Sequence, residues 1–194
     1  MPSRKPPTRP SPTYVALLRG INVGGHTKVG MDDLRGVFVA LGHTDVKSYI
    51  QSGNVVFGSR SRSGSRIAAE IEHRFEAEFG FPVTVIVRTR AELADIVKRN
   101  PFVKPRADAK QFHVALLSDA PKAKAIAQLD VRRSPPDEFV VSRREIYLRC
   151  PNGIGRSKLT NDYFERVLGT RATIRNWRTV IQLLTLAGPQ LNAS

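Results

Sequence analysis

The chain has 194 residues, and 31 Lys and Arg against 17 Asp and Glu give a formal net charge of +14 at pH 7. Its single cysteine, Cys150, excludes an internal disulfide and a cysteine-based zinc cluster, and no apolar run approaches the roughly 18 residues of a membrane-spanning helix. A soluble cytoplasmic protein with no cofactor and no membrane partner is expected, large enough for one domain or for two small halves sharing a core.

Residues 1–12 are rich in proline, carry Arg4, Lys5 and Arg9, and lack the apolar stretch of a signal peptide, which predicts a disordered basic tail. Residues 13–88 read as a first βαββαβ half. Tyr14–Arg19 is a strand, Gly20–Gly30 a glycine-bearing loop, and Met31, Leu34, Phe38 and Leu41 fall at helical spacing up to Gly42. Val46–Ile50 and Asn54–Phe57 form a hairpin around Gln51-Ser-Gly53. Ile67, Ile71, Phe75 and Phe79 then mark a helix ending at Gly80, and Phe81–Val87 is a strand. Residues 89–110 form a helical connector, opened by the capping box Thr89-Arg-Ala-Glu92 and ended by Pro101.

The pattern restarts over residues 111–194. Phe112–Ser118 echoes the first strand, Asp119 and Pro121 open a helix through Leu129, and Glu138–Val141 with Glu145–Arg149 make a second hairpin. A helix over Thr160–Leu168, a short strand near Ala172–Ile174 and an amphipathic helix bearing Trp177, Val180, Leu183, Leu184 and Ala187 complete it. The expected fold class is α+β, with two ferredoxin-like βαββαβ halves plus a C-terminal helix. Both first strands are apolar on consecutive residues, so each sheet is expected to be covered on both faces.

In a split βαββαβ unit the first and second strands are parallel with the third between them. The loop after Arg19 and the hairpin turn therefore share one end of the sheet. Arg19, Asn22, Lys28, Gln51, Ser52 and Asn54 then surround one pocket with donors and positive charge but no general base. Gly20, Gly24 and Gly25 would let backbone amides approach an anion; a tight strand-to-helix turn is the alternative. The spacing of a nucleotide-binding P-loop is only half present, because His26-Thr27 stands where Lys-Ser is needed.

Secondary candidates are the basic loop Pro151–Lys158, with Ser157 and Lys158, and Arg175-Asn176-Trp177-Arg178, where Trp177 would stack on a ring or anchor a terminal helix. The four histidines lie far apart in sequence and suit no metal site. Asp32 and Asp33 complement a helix dipole more simply than they make a catalytic pair. With no acid–base pair or activated nucleophile, no catalytic residue is assigned.

Leu17-Leu-Arg-Gly-Ile-Asn-Val-Gly-Gly25, then Lys28 and Met31, then Tyr49-Ile-Gln-Ser-Gly-Asn-Val-Val-Phe57 resemble a bacterial family of unknown function, number 1697. Similarity continues through Ser157-Lys-Leu-Thr160 and Thr173-Ile-Arg-Asn-Trp177. The resemblance implies the ferredoxin-like repeat and brings no activity to carry over. It adds weight to Arg19, Asn22, Gly24, Gly25, Lys28, Gln51, Ser52, Gly53 and Asn54, where signature and pocket coincide.

Three functional readings follow. The first is a binder of, or enzyme for, a small anionic ligand, a phosphate ester, nucleotide or carboxylate, at that pocket. The second is a nucleic-acid binder. The tail and residues 59–66 together hold +6 of the +14, leaving the rest of the charge diffuse, and strands reading Val-Ala-Leu-Leu and Val-Val-Phe offer no stacking platform. The third is a partner-interaction module whose signature loops hold the halves together. No oligomeric state is specified by the sequence.

Overall fold

The structure is a computed structural model that describes residues 11–22, 28–104 and 107–188. The expected tail at 1–12 therefore falls almost wholly outside the described residues. The first half runs β1 (Thr13–Arg19), α1 (Met31–Ala40), β2 (Thr44–Tyr49), β3 (Asn54–Gly58), α2 (Gly64–Phe79) and β4 (Thr84–Thr89). Helix α3 (Arg90–Arg99) follows. The second half runs β5 (Phe112–Leu117), α4 (Ala123–Ile126), β6 (Glu138–Ser142), β7 (Glu145–Arg149), α5 (Asn161–Leu168) and β8 (Ala172–Asn176), before α6 (Trp177–Leu186).

Each half forms a four-stranded antiparallel sheet, in the orders β2-β3-β1-β4 and β6-β7-β5-β8. This is the ferredoxin-like arrangement twice over. Its central strands are β1 and β5, whose consecutive apolar residues are buried on both faces. Ala16 and Leu18 face α1 and α2, while Val15 and Leu17 face the other way and join Val114 and Leu116 of β5 in a shared core. Leu93 and Ile96 of α3 and Trp177, Val180 and Leu183 of α6 complete that core, and Ala115 and Leu117 pack under α5. Trp177 thus anchors the terminal helix.

Local chemistry sets the helix ends. Ser63 caps α2, Gly80 ends it in the left-handed region at φ 77°, and Thr89 and Glu92 form the capping box of α3. Two expected elements are shorter than read. Helix α4 spans only Ala123–Ile126, because the Asp119 amide is tied to the Thr170 hydroxyl at 3.1 Å and the Asp130 amide to the Tyr163 hydroxyl at 2.8 Å, drawing both flanks away from a helical path. Strand β4 starts at Thr84, and Phe81 packs edge-on against Phe75, 5.3 Å between ring centres. Among the described residues no helix is long and apolar enough to cross a membrane.

Candidate functional site

Strand β1 and the β2–β3 turn do meet at one end of the first sheet. The Leu18 amide donates to the Gly53 carbonyl at 2.7 Å. Gly53 sits at φ +71°, and a Cβ there would lie 2.9 Å from both Leu18 Cβ and the Leu18 carbonyl oxygen, so only glycine fits.

Asn22, itself left-handed at φ 55°, closes the neighbouring loop at its base. Its Oδ1 accepts from the Val29 amide at 2.8 Å, and its Nδ2 donates to the Val29 and Gln51 carbonyls at 3.1 and 2.9 Å. One side chain therefore holds both ends of the segment 22–29 and the hairpin turn. Gly24 and Gly25 lie outside the described residues; Lys28 and Gln51 are exposed. At the start of α1, Asp33 folds back over Gly30 and so occupies the helix end, as the acidic first turn suggested.

Asn54 is fully buried at the start of β3. Its Nδ2 donates to the Ser52 hydroxyl at 2.8 Å and the Tyr49 carbonyl at 3.2 Å, while its Oδ1 accepts from Arg175 Nε at 2.8 Å. Arg175 belongs to β8 of the other half. Its remaining donors reach the Leu18 and Ser52 carbonyls at 2.6 and 3.2 Å and the Thr173 hydroxyl and Ile174 carbonyl at 2.7 and 3.0 Å. All five guanidinium N–H groups are thus spent on neutral oxygens. Desolvation pushes the group down to about 10, and no carboxylate among the described residues offsets it.

Arg19 behaves differently. It pairs with Glu165 and, at 2.5 Å, with Asp162, both on α5. Burial alone would lower its guanidinium, but the Glu165 and Asp162 carboxylates together hold it above its ordinary value. Its charge is therefore compensated, and its role is to join the halves.

The secondary candidates lie apart. Ser157 accepts from the Leu159 amide and Lys158 bonds through its backbone to Ser134 and Arg133, at the far end of the second sheet from its hairpin turn. Asn176 caps α6 through the Thr179 amide at 2.8 Å. Cys150 is buried, its thiol pushed up to about 11 by burial, which makes it unreactive. Among the described residues no group of three or more His, Cys, Asp or Glu side chains is placed to hold a metal ion.

The sequence reading missed Arg175 as a neighbour of Asn54, and Asp162 and Glu165 as partners of Arg19. All of these contacts cross between halves. Only the proximity of Arg175 to Trp177, in a stretch resembling the family, flagged it.

A family model described as a protein of unknown function, DUF1697, matches residues 12–147 and takes in both signature stretches. The chain belongs to the DUF1697 family. No curated protein matches it. Among solved structures, the conserved bacterial protein SP0830 from Streptococcus pneumoniae is similar at 21% identity and a TM-score of 0.66, over 91% of this chain and 98% of that one. At that identity the likeness shows a shared fold. Arg175 lies beyond the matched residues, so this DUF1697 member completes its signature site with a strand outside them.

Proposed function

We propose that this DUF1697 member binds a small anionic ligand, a phosphate ester, nucleotide or carboxylate, at the end of the first sheet. The observation that carries the reading is the uncompensated charge of Arg175 beneath the signature turn. A partly desolvated cation held only by neutral oxygens attracts an anion from solvent. Because Arg175 has no free N–H, it contributes field; contact falls to Lys28 and Gln51. Asn22, Ser52, Gly53 and Asn54 form the frame, and Arg19 with Arg175 fastens that frame to the second half. A cytoplasmic setting belongs to the same proposal, in keeping with a single, buried cysteine.

A nucleic-acid reading gains nothing comparable, since both faces of each central strand are covered and leave no surface for base stacking. The test is calorimetric titration of the full chain with inorganic phosphate, AMP and citrate, repeated on Lys28→Ala and Gln51→Ala. Saturable binding of one anion class, weakened in both variants, is expected. Absence of binding by all three anions, or binding indifferent to both substitutions, overturns the reading.

A further inference from the structure

The segment Ser59-Arg-Ser-Arg-Ser-Gly-Ser-Arg66 contributes nothing to the sheet-end site. It leads instead into a cleft of about 440 Å³ between the two halves, within the size range of small-molecule sites. In the β1–β4 register Thr89 lies opposite Tyr14 and Arg19 opposite Thr84. The cleft runs along β4 from Val85 to Thr89, opposite Leu18 to Tyr14 of β1, and its lining includes neither Arg19 nor any residue of the β2–β3 turn.

Four guanidinium groups line the cleft, those of Arg62, Arg88, Arg144 and Arg171, against two carboxylates, Glu92 and Asp119. Arg88 is fully buried, and four of its five N–H groups are taken, by Glu145 at 3.3 Å and by the Val87, Leu117 and Arg144 carbonyls at 3.1, 2.7 and 3.2 Å, so its main effect is to make the floor positive. The other three have donors to give. Arg144 pairs with Glu92 through Nη2 at 2.5 Å and reaches the Ser118 carbonyl through Nη1 at 3.3 Å, and Arg171 pairs with Glu72 through Nη1 at 2.6 Å. Both keep further N–H groups unbonded. Arg62 is exposed and forms no ion pair among the described residues.

The first turn of α2 adds two amides. The Ser63 hydroxyl and carbonyl take the Arg66 and Ile67 amides, which leaves those of Gly64 and Ser65 at the cleft wall, with no acidic side chain in that turn.

We propose that this cleft is a second ligand site, for a phosphate group, which the two halves grip jointly through Arg62, Arg144 and Arg171. Several planar forks from different directions, together with two amides, suit the three oxygens of a phosphate monoester or the terminal group of a diphosphate better than one carboxylate. The presence of Glu92 and Asp119 disfavours a continuous polyanion. Because Arg62 comes from one half and Arg144 and Arg171 from the other, occupancy clamps the halves together.

The probe is inorganic pyrophosphate, titrated calorimetrically into the full chain, with amide chemical shifts followed by NMR. Arg62→Gln and Arg171→Gln leave the core untouched and are each expected to weaken binding about tenfold, the effect of losing one charge-assisted hydrogen bond. The Gly64 and Ser65 amides are expected to shift as pyrophosphate is added. Pyrophosphate binding indifferent to Arg62→Gln and Arg171→Gln overturns the proposal. If that binding is lost instead in Lys28→Ala, the anion belongs at the sheet end and the cleft is not the site. Loss in the arginine variants alone supports the cleft, whatever becomes of the sheet-end reading.

Discussion

Arg175 of β8 donates its Nε–H to the Oδ1 of buried Asn54 on β3 across 2.8 Å, so the last strand of one half is bonded to the hairpin of the other. The pair explains why a signature asparagine is buried in a turn region: it orients a cation that belongs to a different repeat.

Replacing Asn54 by alanine strands Arg175 Nε and removes the bond to the Tyr49 carbonyl. A loss of about 1–3 kcal/mol is expected for each buried group left unpaired. Arg175→Lys should cost more than its preserved charge implies, because an ammonium has three donors where the guanidinium uses five. Urea midpoints of the two variants check both statements, and a wild-type midpoint for either contradicts them.

Gly53→Ala and Gly42→Ala separate backbone strain from crowding. Both positions have positive φ, +71° and +78°, but a Cβ at 42 meets nothing within 4 Å whereas one at 53 meets Leu18 at 2.9 Å. Gly42→Ala should cost roughly 1–2 kcal/mol from the left-handed backbone alone, and Gly53→Ala clearly more. Equal denaturation midpoints would show that the turn relaxes freely.

The Arg19 ion pairs are partly exposed, so Arg19→Ala should cost only about 0–1 kcal/mol, and less at high salt. Glu165→Ala should cost more, because Glu165 also accepts the Ala172 amide at 2.8 Å and so holds the start of β8. Thermal unfolding of both variants at low and high salt measures the difference.

His43 and His113 are buried, with Nε2 and Nδ1 respectively unpartnered among the described residues, and desolvation lowers both below the ordinary 6.5. Glu70 beside His43, and the Gln111 hydrogen bond and Asp137 at His113, oppose the shift without cancelling it. The unfolded chain therefore binds protons that the folded one refuses. Their contribution is present above pH 6.5 and is lost as pH falls through the lowered folded values. Denaturation at pH 7.5 and 5.5 should show the acid loss, and His43→Phe, packed on Phe57, should flatten part of it.

The repeat and most elements were legible because Tyr14–Leu18 and Val114–Leu117 are apolar on consecutive residues, and because capping residues such as Thr89, Thr160 and Gly80 act within a few positions of one another. The closeness of Asn22 to Gln51 followed from topology within one half and is a 2.9 Å hydrogen bond. What pattern could not supply was the contact between halves. Arg175 to Asn54, Arg19 to Glu165 and Arg88 to Glu145 join residues 121, 146 and 57 positions apart, with no periodicity to link them. The length of α4 was misread for a similar reason, since Tyr163 and Thr170 pull its flanks from another part of the chain.

The most direct test of a sheet-end anion site is an NMR titration of the full, isotope-labelled chain with inorganic phosphate, read at the Asn22 and Lys28 amides, the Gln51 side-chain amide and Arg175 Nε–H. Saturable shifts at these four positions, with one shared affinity, are the predicted result. Saturation that moves other residues while Arg175 Nε–H and Gln51 stay still would contradict the account.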